Sequence, residues 1–135
     1  MSKLEKVIVT GGAGFIGSNL VKKLLDLDVE KLLIIDDLST GSESNILSIV
    51  NDERVQFLNS KIEDIEGLDE LFKNYDFCYH LAAGVGVQYI MDNLSESLLT
   101  NILATHKVLE ACQANGLPIL PVSYTHLTLP TTPYV

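Results

Sequence analysis

The sequence predicts an α/β fold built on a doubly wound parallel sheet. Three observations predict it. Short apolar runs rich in β-branched residues alternate with segments of helical spacing. A glycine-rich turn joins the first run to the first helical segment. The strand-length runs are apolar throughout, as expected for strands covered by helices on both sides. With 135 residues there is room for one domain. Apolar residues make up 47%, enough for a core and too many for a disordered chain.

Lys6-Val7-Ile8-Val9-Thr10 reads as the first strand, stopped by glycine. From Gly14 the period changes. Phe15, Ile16, Leu20, Val21, Leu24, Leu25 and Leu27 follow helical spacing, with Lys22, Lys23 and Asp26 mostly opposite. Lys31 to Asp36 is a second strand, parallel to the first through a right-handed crossover. Ser42 to Val50 reads as a weak helix or loop, and Val55 to Leu58 as a third strand. Ile65 to Asn74 is expected to be helical, with Asp64 as its N-cap. Asp76 to Leu81 is a fourth strand, and Ser95 to Asn115 the longest helix, closed by Asn115-Gly116. Leu117 to Leu120 begins a fifth strand.

Charge and composition exclude several function classes. Eighteen acidic residues against nine basic ones give a net charge of -9, which argues against a nucleic-acid surface or an anionic membrane partner. No apolar run approaches the roughly 18 residues of a membrane span. No signal-peptide core follows the start, because Thr10-Gly11-Gly12 interrupts it. Cys78 and Cys112 lie in apolar contexts, which suits a reducing cytoplasm. His80, His106 and His126 show no metal spacing, so no metal site is expected.

The glycine turn carries the chemistry. Gly11, Gly14 and Gly17 recur every third residue between a strand and a helix. Such a turn bends sharply, lets a diphosphate approach the backbone and packs the helix close to the strand. The positive end of the helix and its free amides then bind phosphate. Asp36 closes the second strand nineteen residues after Gly17, where a carboxylate accepts hydrogen bonds from ribose hydroxyls. It would repel a 2′-phosphate, which favours NAD over NADP. No Gly-Lys-Ser or Gly-Lys-Thr is present, so a Walker-type triphosphate loop is excluded. Tight turns with Asp36 as a cap are the plain structural alternative. The joint placement makes a Rossmann-type dinucleotide site the favoured reading.

Thr10 to Ser18 resembles the N-terminus of extended short-chain dehydrogenases/reductases, the NAD-dependent epimerase/dehydratase family acting on nucleotide sugars. Asp36-Asp37-Leu38-Ser39-Thr40-Gly41, His80-Leu81-Ala82-Ala83 and Asn101 are similar to three further motifs, in order. The resemblance implies that Gly11, Gly14, Phe15, Ile16 and Gly17 hold the diphosphate. Asp36 would hold the ribose, with Asp37, Ser39, Thr40 and Gly41 on the adenosine side. Leu81, Ala82 and Ala83 would wall the cofactor, and Asn101 would position that wall or the nicotinamide half. Gly84 to Ile90 resembles the sugar-nucleotide side of epimerase and decarboxylase relatives. A plain strand-to-helix loop is the alternative there.

Two positions depart from the family pattern. Lys61-Ile62 stands where members often carry an acid that reads the adenine amino group. The Ile62 amide can still serve, but Lys61 cannot accept from that amine. Ala104 replaces a usual glycine before Thr105.

The resemblance also implies a nucleotide-sugar substrate, a homodimeric parent and hydride transfer assisted by Tyr-x-x-x-Lys. Four residues after Tyr75, Tyr79, Tyr89 and Tyr124 stand Tyr79, Ala83, Asn93 and Thr128, so the pair is missing. No catalytic residue is therefore assigned, and the chain is expected to be the inactive NAD-binding portion of a longer enzyme, binding NAD weakly or not at all as given, with sheet edge and helix faces uncovered. A non-catalytic module that senses NAD(P) is the alternative.

Residues 1–121 are expected to form this incomplete domain, and 122–135 a non-native tail. Ala111 to Val135 carries no charged residue and all four prolines. Val122 to Thr131 reads like a translated transposon-type sequencing adapter, in the frame GTC TCT TAT ACA CAT. A natural strand from Ile119 to Tyr124, with Ser123 as a catalytic hydroxyl, is the alternative.

Overall fold

The computed structural model describes residues 5–39, 41–81 and 94–121. Among the described residues, five parallel strands are present: β1 (Lys6–Thr10), β2 (Lys31–Asp36), β3 (Val55–Asn59), β4 (Phe77–His80) and β5 (Ile119–Pro121). They lie in the order β3-β2-β1-β4-β5, the Rossmann-like arrangement that the sequence predicts. The order reverses between β1 and β4. The carboxyl ends of those two strands therefore open the crevice where ligands of such sheets bind.

Alternation along each strand divides the core. Val7, Val9, Leu32 and Ile34 face α1 (Phe15–Asp26) and bury with Val21, Leu24, Ile46 and Ile49. Ile8, Leu33, Ile35 and Cys78 face the other way, against Phe72, Val108 and Cys112. Val108 and Cys112 belong to α3 (Leu94–Ala114), the crossover from β4 to β5. Both cysteines are buried free thiols. The hydrogen bond that the Cys78 thiol donates to Cys112, together with burial, pushes Cys78 well above the ordinary range. No described helix is long and apolar enough to cross a membrane.

Both long helices end by the same device. Past α3, Gly116 sits at φ +61°, its amide reaches Gln113, and the Leu117 amide reaches Cys112 at 2.8 Å. This is a Schellman closure, and Leu117 buries against the helix as such a motif requires. α1 closes likewise through Asp28, whose φ is +63°.

The structure corrects the reading of 65–74. The helix there, α2, covers only Leu68–Leu71. Ile65 is extended and Gly67 sits at φ +69°, which breaks the pattern before the helix begins. Gly67, not Asp64, is the N-cap, and Asp64 ends a separate 3-10 turn, Ile62–Asp64. The segment 42–50 is a 3-10 turn at Glu43–Asn45 followed by turns that bury Ile46 and Ile49.

Candidate dinucleotide site

The glycine turn lies at the crevice, between β1 and α1. Its geometry assigns the glycines different tasks. A Cβ on Gly17 would stand 2.1 Å from the Gly11 carbonyl oxygen, so the helix can approach the turn only through glycine. Gly11 itself holds φ +75°, a left-handed conformation that glycine adopts without strain. Gly14 is different. Its φ is -75°, and among the described residues a Cβ there would meet nothing closer than the Gly11 oxygen at 3.4 Å, an ordinary contact. The described part of the fold does not require glycine at this position.

Gly14 is also the N-cap of α1. No side chain caps that end, and no acid lies in the first turn. The helix therefore presents an unneutralised positive end and its first amides toward the crevice. Phe15 and Ile16 flank it, 82% and 64% exposed.

Asp36 reaches this turn from β2. It is 8% exposed, and its Oδ2 accepts the Ala13 amide at 2.9 Å. Its Oδ1 accepts the Leu38 amide at 2.8 Å. One carboxylate thus ties the tip of β2 to the glycine turn. Each oxygen keeps a lone pair, so the group can still accept from a ligand hydroxyl. Leu38, the next residue but one, holds φ +63° and packs on the α1-side core. Asp37 accepts the Ser39 amide at 2.9 Å in an Asx turn.

Ala13 is the hub of the turn. Its carbonyl accepts the Ser42 amide at 3.1 Å and the Asn45 side-chain amide at 2.8 Å. Gly41 must be glycine for this clasp, since a Cβ would lie 2.8 Å from the Ala13 carbonyl. The structure thus brings Gly11, Gly14, Phe15, Ile16, Gly17, Asp36 and Gly41 together. Asp37 and Ser39 lie on the same loop. Sequence reasoning missed Asn45 and gave Gly12 no separate task. A Cβ on Gly12 would meet Ile34 at 2.6 Å.

The far side of the crevice is fixed by His80, which is 1% exposed. Its Nδ1 lies 2.7 Å from Thr10 Oγ1, and its Nε2 lies 3.0 Å from Thr105 Oγ1 on α3. Burial holds its pKa down to about 4, so the ring is neutral at pH 7. One histidine therefore joins β1, β4 and α3 at the point where strand order reverses. The Leu81 amide adds a bond to the Thr10 carbonyl at 3.0 Å. Asn101 lies on α3, four residues before Thr105. Ile62 opens the 3-10 turn after β3, with its side chain buried. Thr40, Ala82, Ala83 and residues 84–90 lie outside the described residues.

Known proteins share this fold and sequence. The model of the GDP-mannose 4,6 dehydratase family matches residues 8–123. UDP-glucuronic acid decarboxylase 6 of Arabidopsis thaliana is 30% identical, over 87% of this chain and 33% of its own length. The solved UDP-N-acetylglucosamine 4-epimerase of Methanobrevibacter ruminantium is 35% identical, with a TM-score of 0.75 over 86% of this chain and 36% of that one. A dTDP-glucose 4,6-dehydratase of Streptomyces venezuelae, solved with NAD bound, is 30% identical with a TM-score of 0.75, covering 83% of this chain and 37% of its own. The chain spans about a third of the length of these three. It belongs to the NAD-dependent epimerase/dehydratase family and corresponds to an N-terminal part of its members.

Proposed function

We propose that the chain binds NAD at the carboxyl end of its sheet, as the dinucleotide-binding portion of a nucleotide-sugar epimerase, dehydratase or decarboxylase. The observation that carries this is Gly14. Its conformation and surroundings accept a Cβ, yet it is glycine at an uncapped helix start. An approaching diphosphate supplies the missing reason, because it needs the backbone bare.

The residues fit the group. The amides at Phe15, Ile16 and Gly17 would hold the diphosphate. The spare lone pairs of Asp36 would hold the adenosine ribose, and its charge would repel a 2′-phosphate. Asp37, Ser39, Thr40 and Gly41 would line the adenosine side, and the Ile62 amide would meet the adenine. Leu81, Ala82, Ala83 and Asn101 would border the nicotinamide half. When bound, NAD supplies a hydride acceptor. The nucleotide-sugar substrate and a homodimeric assembly would belong to a longer protein. Calorimetric titration tests the reading. Saturable NAD binding is expected, with NADP at least about tenfold weaker. Equal affinity for both, or for neither, would contradict it.

The boundary after residue 121 is part of the same proposal, resting on the loss of charge after Glu110 and the adapter-like spelling of Val122 to Thr131. The coding DNA tests it, and codons of another spelling there would contradict it.

A further inference from the structure

Lys107 lies on α3, and its ammonium reaches back to the chain after β3. It donates to the carbonyls of Glu63 at 3.1 Å and Ile65 at 3.0 Å. Glu66, Asp69 and Glu110 line the same groove. Among the described residues, however, the hydrogen bonds of Lys107 go to these two carbonyls. They flank Asp64, the last residue of the 3-10 turn that Ile62 opens. The Ile62 side chain is buried in one cluster with Val108, the neighbour of Lys107. The turn is thus held to α3 twice, once by packing and once by charge-assisted hydrogen bonds.

This turn stands beside the ribose-side acid. Asn59, the last residue of β3, is the register partner of Asp36, and the Ser60 amide donates to the Asp36 carbonyl at 3.2 Å. The first amide of such a turn has no partner within it. Lys61, just before it, can only donate, so it cannot accept from the adenine amine. On the NAD reading, the family resemblance then gives recognition of the base to the Ile62 amide. That amide suits adenine, whose N1 accepts. It opposes hypoxanthine, whose N1 carries hydrogen.

We propose that Lys107 is a positioning residue for base recognition: by fixing the Ile62–Asp64 turn it aims the Ile62 amide and so selects adenine over hypoxanthine dinucleotide. This rests on the NAD reading above. Calorimetry of the full chain with NAD and with nicotinamide hypoxanthine dinucleotide tests it. The unaltered chain is expected to prefer NAD by about fivefold, the worth of one hydrogen bond. Lys107→Met should bring the two affinities within about twofold, while Lys107→Arg keeps most of the preference. Should Lys107→Met not fold, Lys107→Gln retains one donor, and an intermediate ratio is expected. A merely structural lysine would weaken both ligands alike and leave the ratio unchanged, which would overturn the proposal. Equal binding of both ligands by the unaltered chain would overturn it and spare the NAD reading. Binding of neither would overturn both.

Discussion

The Asp36 carboxylate and the Ala13 amide meet at 2.9 Å across 23 residues of sequence. This bond closes the crossover between β1 and β2 at the carboxyl end of the strands. It gives Asp36 a structural task alongside the ribose contact proposed for it.

Asp36→Ala should therefore lower stability as well as binding. It leaves the Ala13 and Leu38 amides without their acceptor, at a cost of about 2 kcal/mol in urea unfolding. Asp36→Asn keeps one oxygen acceptor and should recover part of that loss.

Gly14 and Gly17 should separate folding from binding. Gly17→Ala drives a methyl into the Gly11 carbonyl and should cost about 3 kcal/mol or more. Gly14→Ala should cost no more than about 1 kcal/mol, since its backbone accepts alanine. The same methyl should weaken NAD at least about tenfold, equivalent to about 1.4 kcal/mol. Thermal unfolding and calorimetry on the two variants check the pair.

His80 should make the fold acid-sensitive. Its pKa falls from 6.5 to about 4 on folding, so the unfolded chain binds the extra proton first. Stability from this group is complete above about pH 6.5 and is lost as pH falls toward 4, by about 3 kcal/mol. His80→Gln should remove this dependence. Urea midpoints of both forms between pH 4 and 7 measure the difference.

Gly116→Ala should cost about 1 kcal/mol through backbone strain alone. Among the described residues nothing lies within 4 Å of the added Cβ, while φ stays at +61°. Denaturant unfolding checks the value, and Gly116→Asn should recover part of it because asparagine tolerates the left-handed region.

The strands and the glycine turn were legible because their signals are local. Val7-Ile8-Val9 can only be a buried strand before glycine, and Asp36 ends its strand at a fixed distance from the turn. What was not legible depends on contacts distant in sequence. Asn45 reaches Ala13 across 32 residues, and Lys107 reaches Glu63 across 44. Neither leaves a spacing to read. The helix expected from Ile65 failed because Leu68, Leu71 and Phe72 repeat the helical period, while Gly67 breaks the backbone just before them.

The central claim is a dinucleotide lying over Gly14 with its ribose at Asp36. Amide chemical-shift mapping of the chain titrated with NAD tests it most directly. The account predicts saturating shifts at Gly14, Phe15, Ile16, Gly17, Leu38 and Ser39. Saturating NAD with these amides unmoved, and shifts confined elsewhere, would contradict it.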